Sequence, residues 1–211
     1  SLGGILGAAY VFSSPFIKRG ILNVGGTPFG FILSRSTDFG VFEKILNTQV
    51  TRATHRRIGF SLLQTLWDPG ESAGWLSGAP ERARREGKAF LLQTGIGDSQ
   101  VPSTSSGVLA RSLGAVTISP ALRPIYGLPQ MPFNWTFNLT STSSSPPPPE
   151  TESSFSAVFQ EFEYPGVYPE PISNVPAAPS TNTHYHVRRD PRADRQVLAF
   201  MNGVFEGVRS D

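Results

Sequence analysis

One stretch constrains the fold more than any other. Lys88-Ala89-Phe90-Leu91-Leu92-Gln93-Thr94 is a continuous apolar run bounded by Gly87 and Gly95. A strand with one wet face alternates apolar and polar residues, and this run does not alternate. The pattern predicts a strand buried on both faces, which is the property of a parallel sheet with helices packed on each side. The chain therefore reads as α/β. Directly after the run comes Gly95-Ile96-Gly97-Asp98-Ser99-Gln100-Val101-Pro102, and then a helix from Ser103 to Leu113. An aspartate on the loop at the carboxyl end of a parallel strand stands where open α/β sheets hold their chemistry. Asp98 is the first candidate site residue.

Two further strands are expected, giving about three parallel strands with flanking helices. Gly20-Ile21-Leu22-Asn23-Val24 is closed by Gly25-Gly26, and Ala157-Val158-Phe159-Gln160-Glu161-Phe162 lies within Phe155 to Tyr164. Residues 27–54 are apolar but broken, and read as loops and short helices near the mouth of a site. A firmer packing helix is predicted from Arg56 to Trp67, with Ile58, Leu62, Leu63 and Leu66 at helical intervals and Asp68-Pro69-Gly70 as the stop. Residues 115–137 have the apolar content of packed structure without a clear period. Four prolines, Pro146 to Pro149, sit in a Ser/Thr-rich excursion over about 138–154, and Asn134-Trp135-Thr136 and Asn138-Leu139-Thr140 match the glycosylation sequon. Asp190-Pro191 supplies an N-cap and a first-turn proline for a last helix of about Arg192 to Phe205, whose stripe is Val197, Leu198, Phe200, Met201, Val204 and Phe205.

The opening stretch, Ser1-Leu2-Gly3-Gly4-Ile5-Leu6-Gly7-Ala8-Ala9-Tyr10, reads as a serine at the mouth of a small-residue helix. Ser-x-Gly is the second half of the G-x-S-x-G nucleophile elbow, in which a hydroxyl is held exposed on a sharp strand-to-helix turn. Gly3 suits the crowded turn, and Gly4, Gly7 and Ala8 form a thin face that lets the helix lie close to a sheet. The N–H of Leu2 would then point at a developing oxyanion from the positive end of the helix.

Composition narrows the chemistry. With 38% hydrophobic residues and a net charge of only +2, the 211-residue chain has ordinary globular content, not that of a basic nucleic-acid binder. The run Glu81-Arg82-Ala83-Arg84-Arg85-Glu86-Gly87 lacks interleaved aromatics and reads as a solvated helix end with Gly87 as its exit. Zero cysteines exclude disulfides and thiol catalysis, and three histidines without a carboxylate cluster argue against a dedicated metal site. No cofactor is called for. The apolar opening is too short to span a bilayer. No residue pattern fixes a compartment, although a secreted or cell-envelope location is favoured.

Ser1, then Asp98 after a strand, then His184 after a later strand and before the terminal helix, follow the Ser, Asp/Glu, His order of α/β-hydrolases. The chain resembles the C-terminal half of bacterial lipase- or esterase-like members of that superfamily. The matching stretches are Ser1-Leu2-Gly3-Gly4, Gly20 to Gly26, Gly97-Asp98-Ser99-Gln100-Val101-Pro102, and Asn182-Thr183-His184 with Val187-Arg188-Arg189 downstream. The resemblance implies a serine hydrolase of carboxylic esters acting on small-molecule or lipid substrates. Ser1 would be the nucleophile, His184 the base and acid, Asp98 the orienting carboxylate and Leu2 an oxyanion donor. Phe29 to Phe42 and Phe133 to Phe137 would line an acyl pocket.

His186 is the rival base, and His55 a weaker one. Such enzymes also need strands before the elbow, and about three strands alone would expose an apolar edge. An N-terminal portion is therefore expected, as a separate chain cleaved before Ser1 or as preceding sequence. Two alternatives stand beside the esterase: an N-terminal-nucleophile hydrolase using the Ser1 α-amine as base, and a non-catalytic partner-binding subunit.

Overall fold

In the computed structural model, residues 1–132, 136–138, 155–165 and 183–207 are described. The excursion at about 138–154, both sequon asparagine side chains, Phe133 and Trp135 lie outside them. The architecture is α/β, built on a five-stranded sheet of order β1-β2-β6-β3-β4 with every pairing parallel. The strands are β1 (Arg19–Asn23), β2 (Ala89–Gly95), β3 (Val116–Ser119), β4 (Gln130–Pro132) and β6 (Ala157–Phe162). A separate antiparallel pair joins β5 (Thr136–Asn138) to β7 (Val204–Glu206).

All seven residues of β2 are buried, as its unbroken apolar run requires. Phe90 and Leu92 face one layer, with Leu22, Ala157 and Phe159 from neighbouring strands. Against them pack α1 (Leu2–Ser13), α5 (Ala79–Glu86) and α6 (Ser103–Ser112) through Ala8, Val11, Phe12, Ala83 and Leu109. Ala89 and Leu91 face the opposite layer, where Phe200 of α8 (Pro191–Met201) and Phe205 of β7 cover them. Gln93 shares that second face. Its amide nitrogen donates to Ala193 O and Gln196 Oε1, both 3.0 Å away, and its oxygen accepts from Asn23 Nδ2 at 2.9 Å. A polar side chain is tolerated there because every bond it needs is made.

Helix α1 is fixed at both ends. At its carboxyl end the buried Lys88 ammonium donates to Val11 O and Ser14 O at 2.7 Å, at the end of the helix, and to Ile17 O at 3.1 Å in the segment that leaves it, so all three donors are used. At its amino end Gly4 meets Gly25 so closely that a Cβ on Gly25 would lie 2.3 Å from the Gly4 carbonyl carbon. Val24 makes that approach possible. It is a buried β-branched residue at φ 44°, where only glycine is comfortable, and it turns the chain sharply as β1 ends.

Four sequence expectations need correction. The sheet has five strands rather than about three, because β3 and β4 are too short to show a period in residues 115–137. The crowded glycine is Gly4, not Gly3, whose Cβ would meet nothing within 4 Å. The last helix stops at Met201, because Gly203 at φ 88° reverses the chain into β7; Val204 and Phe205 are strand residues, and Leu198 and Met201 are exposed. Finally, α4 (Ala53–Trp67) turns Ile58, Leu62, Leu63 and Leu66 to solvent and packs by its other side, where Phe60 meets Phe39 and Trp67 meets Phe29. Val41, Phe42 and Ile45 of α3 (Gly40–Gln49) are exposed beside it.

The Gly4–Gly25 contact can be weighed directly. Gly25→Ala is expected to destabilise the protein by about 3 kcal/mol, the upper range for overpacking against backbone that cannot retreat. Gly3→Ala should leave stability unchanged or raise it by up to about 1 kcal/mol through helix propensity. Urea unfolding of the two variants checks both; equal effects would mean that the close approach does not hold α1 in place.

Candidate active site

Three segments far apart in sequence meet at the carboxyl end of the parallel strands. Ser1 stands at the N-cap of α1, and Gly4, one turn on, lies against Asn23 O and Gly25 at the end of β1. Asp98 follows β2 by three residues. His184 lies on α7 (Thr183–Val187), a short helix where a loop was expected, and α7 is seated on the end of β2 because Gly95 has no side chain; a Cβ there would run into Thr183 and Val187.

Asp98 and His184 are joined, Nδ1 to Oδ2, at 2.7 Å, both almost wholly buried. The second oxygen, Oδ1, accepts from the N–H of Gln100 at 2.8 Å and of Val101 at 2.9 Å. These two bonds close a tight turn and aim the carboxylate. A carboxylate can only accept, so Nδ1 is the donor of this bond and Nε2 is the ring nitrogen turned away from Asp98. His186 is exposed, its ring 5.3 Å from that of Tyr164 and away from the carboxylate pair. His55 is exposed on α4. Of the three histidines, the structure brings only His184 to Asp98.

Ser1 is exposed, and its hydroxyl makes no cap bond to α1. The first bond of the helix runs from Ile5 N to Ser1 O at 2.9 Å, so the N–H of Leu2 has no acceptor within its own helix. The Ser1 α-amine is held below the ordinary amine range, by burial first and by the Arg188 guanidinium second, while the Asp98 carboxylate acts the other way. Beside Ser1, Ile5, Ile32 and Val101 form an apolar cluster with Leu6 and Phe29 packed against them. Of the residues expected near an acyl chain, Ile32 of α2 (Phe29–Leu33) belongs to this cluster and Phe29 packs against it, whereas Phe42 is exposed.

Several supporting interactions carried no sequence signal, Asp190 being expected only as an N-cap. The loop bearing Asp98 is pinned by Thr37, whose N–H and hydroxyl both donate to Ser99 O. Behind α7, Tyr164 donates to Asp190 Oδ2 at 2.8 Å, and Arg192 pairs with the same carboxylate at 2.7 Å. Burial acts to raise Asp190, but the bonds from Arg192 and Tyr164 outweigh it and hold the carboxyl below its usual range; burial pushes the Tyr164 phenol up. Among the described residues no group of His, Asp and Glu could hold a metal ion, and no helix is long and apolar enough to cross a membrane.

Comparison of the chain with protein-family models, with curated proteins and with solved structures finds no match.

The Asp190 clamp has a defined pH signature. Its carboxyl binds protons more weakly folded than unfolded, so its contribution is present above about pH 4 and is lost as pH falls through the lowered native value. Asp190→Asn should lower the midpoint of unfolding at pH 7 and flatten the loss of stability below about pH 4. Thermal melts of both proteins from neutral to acid pH measure this; parallel curves would show that Asp190 contributes nothing through its charge.

Proposed function

We propose that the protein is a serine hydrolase of carboxylic esters, with Ser1 as nucleophile, His184 as general base and acid, Asp98 as the group that orients the imidazole, and the Leu2 N–H as an oxyanion donor. The observation that carries this reading is the buried Asp98–His184 hydrogen bond of 2.7 Å at the same end of the sheet as the N-terminus of α1. A buried carboxylate held by two backbone N–H groups and one imidazole is the arrangement that fixes a histidine tautomer with Nε2 available.

In the proposed reaction, His184 Nε2 accepts the Ser1 hydroxyl proton as Oγ adds to the ester carbonyl. The oxyanion develops toward the Leu2 N–H at the positive end of α1. Collapse passes the proton from His184 to the departing alkoxide and leaves an acyl-serine. Water, deprotonated by the same imidazole, then releases the carboxylic acid and restores Ser1. Ile5, Ile32, Val101 and Phe29 supply an apolar wall suited to an acyl chain. The companion N-terminal portion belongs to the same proposal: β1 pairs only with β2 among the described residues, and its outer edge is the natural seat for a further strand.

A fluorophosphonate probe should label Ser1 in the full chain. Ser1→Ala abolishes the label, and His184→Ala and Asp98→Asn slow it by roughly 10³–10⁴-fold, while His186→Ala leaves it unchanged. Acetylating the Ser1 α-amine spares labelling on this reading. Loss of label on acetylation would make the amine the base, and labelling indifferent to His184 would remove the triad altogether.

A further inference from the structure

Among the described residues, fourteen large apolar side chains are exposed, and seven of them stand on two neighbouring helices: Val41, Phe42 and Ile45 of α3, and Ile58, Leu62, Leu63 and Leu66 of α4. Single exposed apolar residues are ordinary on a folded protein, but a cluster on adjacent helices marks a surface that meets something apolar. Phe39 joins the two helices, stacking on Phe42 at 5.6 Å and meeting Phe60 edge-on at 5.9 Å. On α4, Ile58, Leu62 and Leu66 are four residues apart and follow one another along the outer side, while Phe60, Gln64 and Trp67 are engaged on the inner one.

Charge decides what kind of partner fits. From Gly40 to Trp67 the chain holds four cations, Lys44, Arg52, Arg56 and Arg57, against the single acid Glu43, a formal net charge of +3 in 28 residues. The whole chain carries only +2, so the remaining residues together are net negative. Arg56 is spent on the bend between α3 and α4, where its guanidinium donates to Val50 O at 2.6 Å and Thr51 O at 2.9 Å. Lys44, Arg52 and Arg57 are exposed. An apolar outer side with cations at one end is the pattern of a helix that lies in a membrane interface, its apolar side chains in the acyl boundary and its cations at anionic headgroups. A second copy of the chain would bring the same cationic excess against itself.

We infer that α3 and α4 form a docking surface for a lipid bilayer bearing anionic headgroups, with Leu62 and Leu66 entering the acyl boundary and Arg52 and Arg57 meeting the headgroups. The contact holds the protein on the membrane surface without crossing it. It is independent of the chemistry at Ser1.

Flotation of the full chain with vesicles tests this, using phosphatidylcholine alone and an equal mixture of phosphatidylcholine and phosphatidylglycerol, each at low and at high salt. The protein should bind the anionic vesicles at least about tenfold more tightly than the neutral ones, and high salt should erode that preference. Leu62→Asp combined with Leu66→Asp should weaken binding to the anionic vesicles by at least about tenfold, and Arg52→Ala combined with Arg57→Ala should reduce it to the neutral-vesicle level. Leu198→Asp, an exposed position on α8, should bind as the wild type does. If the leucine pair does not fold, the arginine pair decides by the same comparison. Equal binding to both vesicles, binding indifferent to these substitutions, or no binding at all overturns the inference. A dimer in sedimentation velocity that the leucine pair breaks, with no vesicle bound, gives the face to a second copy instead.

Discussion

The pairing of β2 between β1 and β6 is the constraint on which the rest of the structure depends. Because all seven residues of β2 are buried, the strand needs a neighbour on each edge and a layer on each face. Parallel pairing then brings the carboxyl ends of β1, β2 and β6 to one end of the sheet. The segments at that end are the amino end of α1 lying on the close of β1, the Asp98 loop leaving β2, and α7 leading into α8. Residues separated by most of the chain become neighbours without any of them being adjacent in sequence. How near α1 comes is decided by two glycines, Gly4 and Gly25, which touch backbone to backbone.

Buried polar groups differ in the partners that satisfy them. Glu71 is buried, and its carboxylate accepts from Thr27 Oγ1, Phe29 N, Ala73 N and Gln64 Nε2. Lys88 spends every donor on α1 and its exit, and Glu161 is gripped by Arg123 at 2.7 Å. Groups so engaged have little left with which to react. Asp98 is saturated too, but its partner is an imidazole, which carries a second ring nitrogen beyond the one spent on the pair. The other expenditure of stability at this end of the sheet is Val24, held at φ 44° where the chain leaves β1 for the Gly4 contact.

Much of this was legible in the residues, for identifiable reasons. A seven-residue strand without alternation has few interpretations, and Gly95 through Pro102 announced the loop that carries Asp98. The thin face of α1 was readable from Gly4, Gly7 and Ala8. What could not be read depended on position in space. His184 and His186 differ by two residues, and only the seating of Thr183 against Gly95 puts the first of them beside the carboxylate. The strands β3 and β4, four and three residues long, are shorter than any period that could reveal them. In α4 the periodicity correctly announced an apolar stripe, but periodicity carries no sign: Ile58, Leu62 and Leu66 turn outward because Phe60, Gln64 and Trp67 hold the inner side.

That inversion of α4 ties the outer helices to the site. Gln64 accepts from Gly30 N at 2.8 Å and donates to Glu71, and Glu71 in turn accepts from Phe29 N, so α2 and α4 share one buried carboxylate. Phe29 of α2 packs edge-on against Trp67 of α4 and, with Ile32, against Ile5 and Val101 beside Ser1 and Asp98. An exposed apolar pair of helices is thus connected to the apolar cluster beside Ser1 partly through bonds to one buried carboxylate. Losing Gln64 would leave Glu71 short of a donor in a place water does not reach, and such a deficit costs more than the bond itself contributes. The placement of α4 is therefore determined by the carboxylate beneath it, and its own apolar stripe is free to face outward.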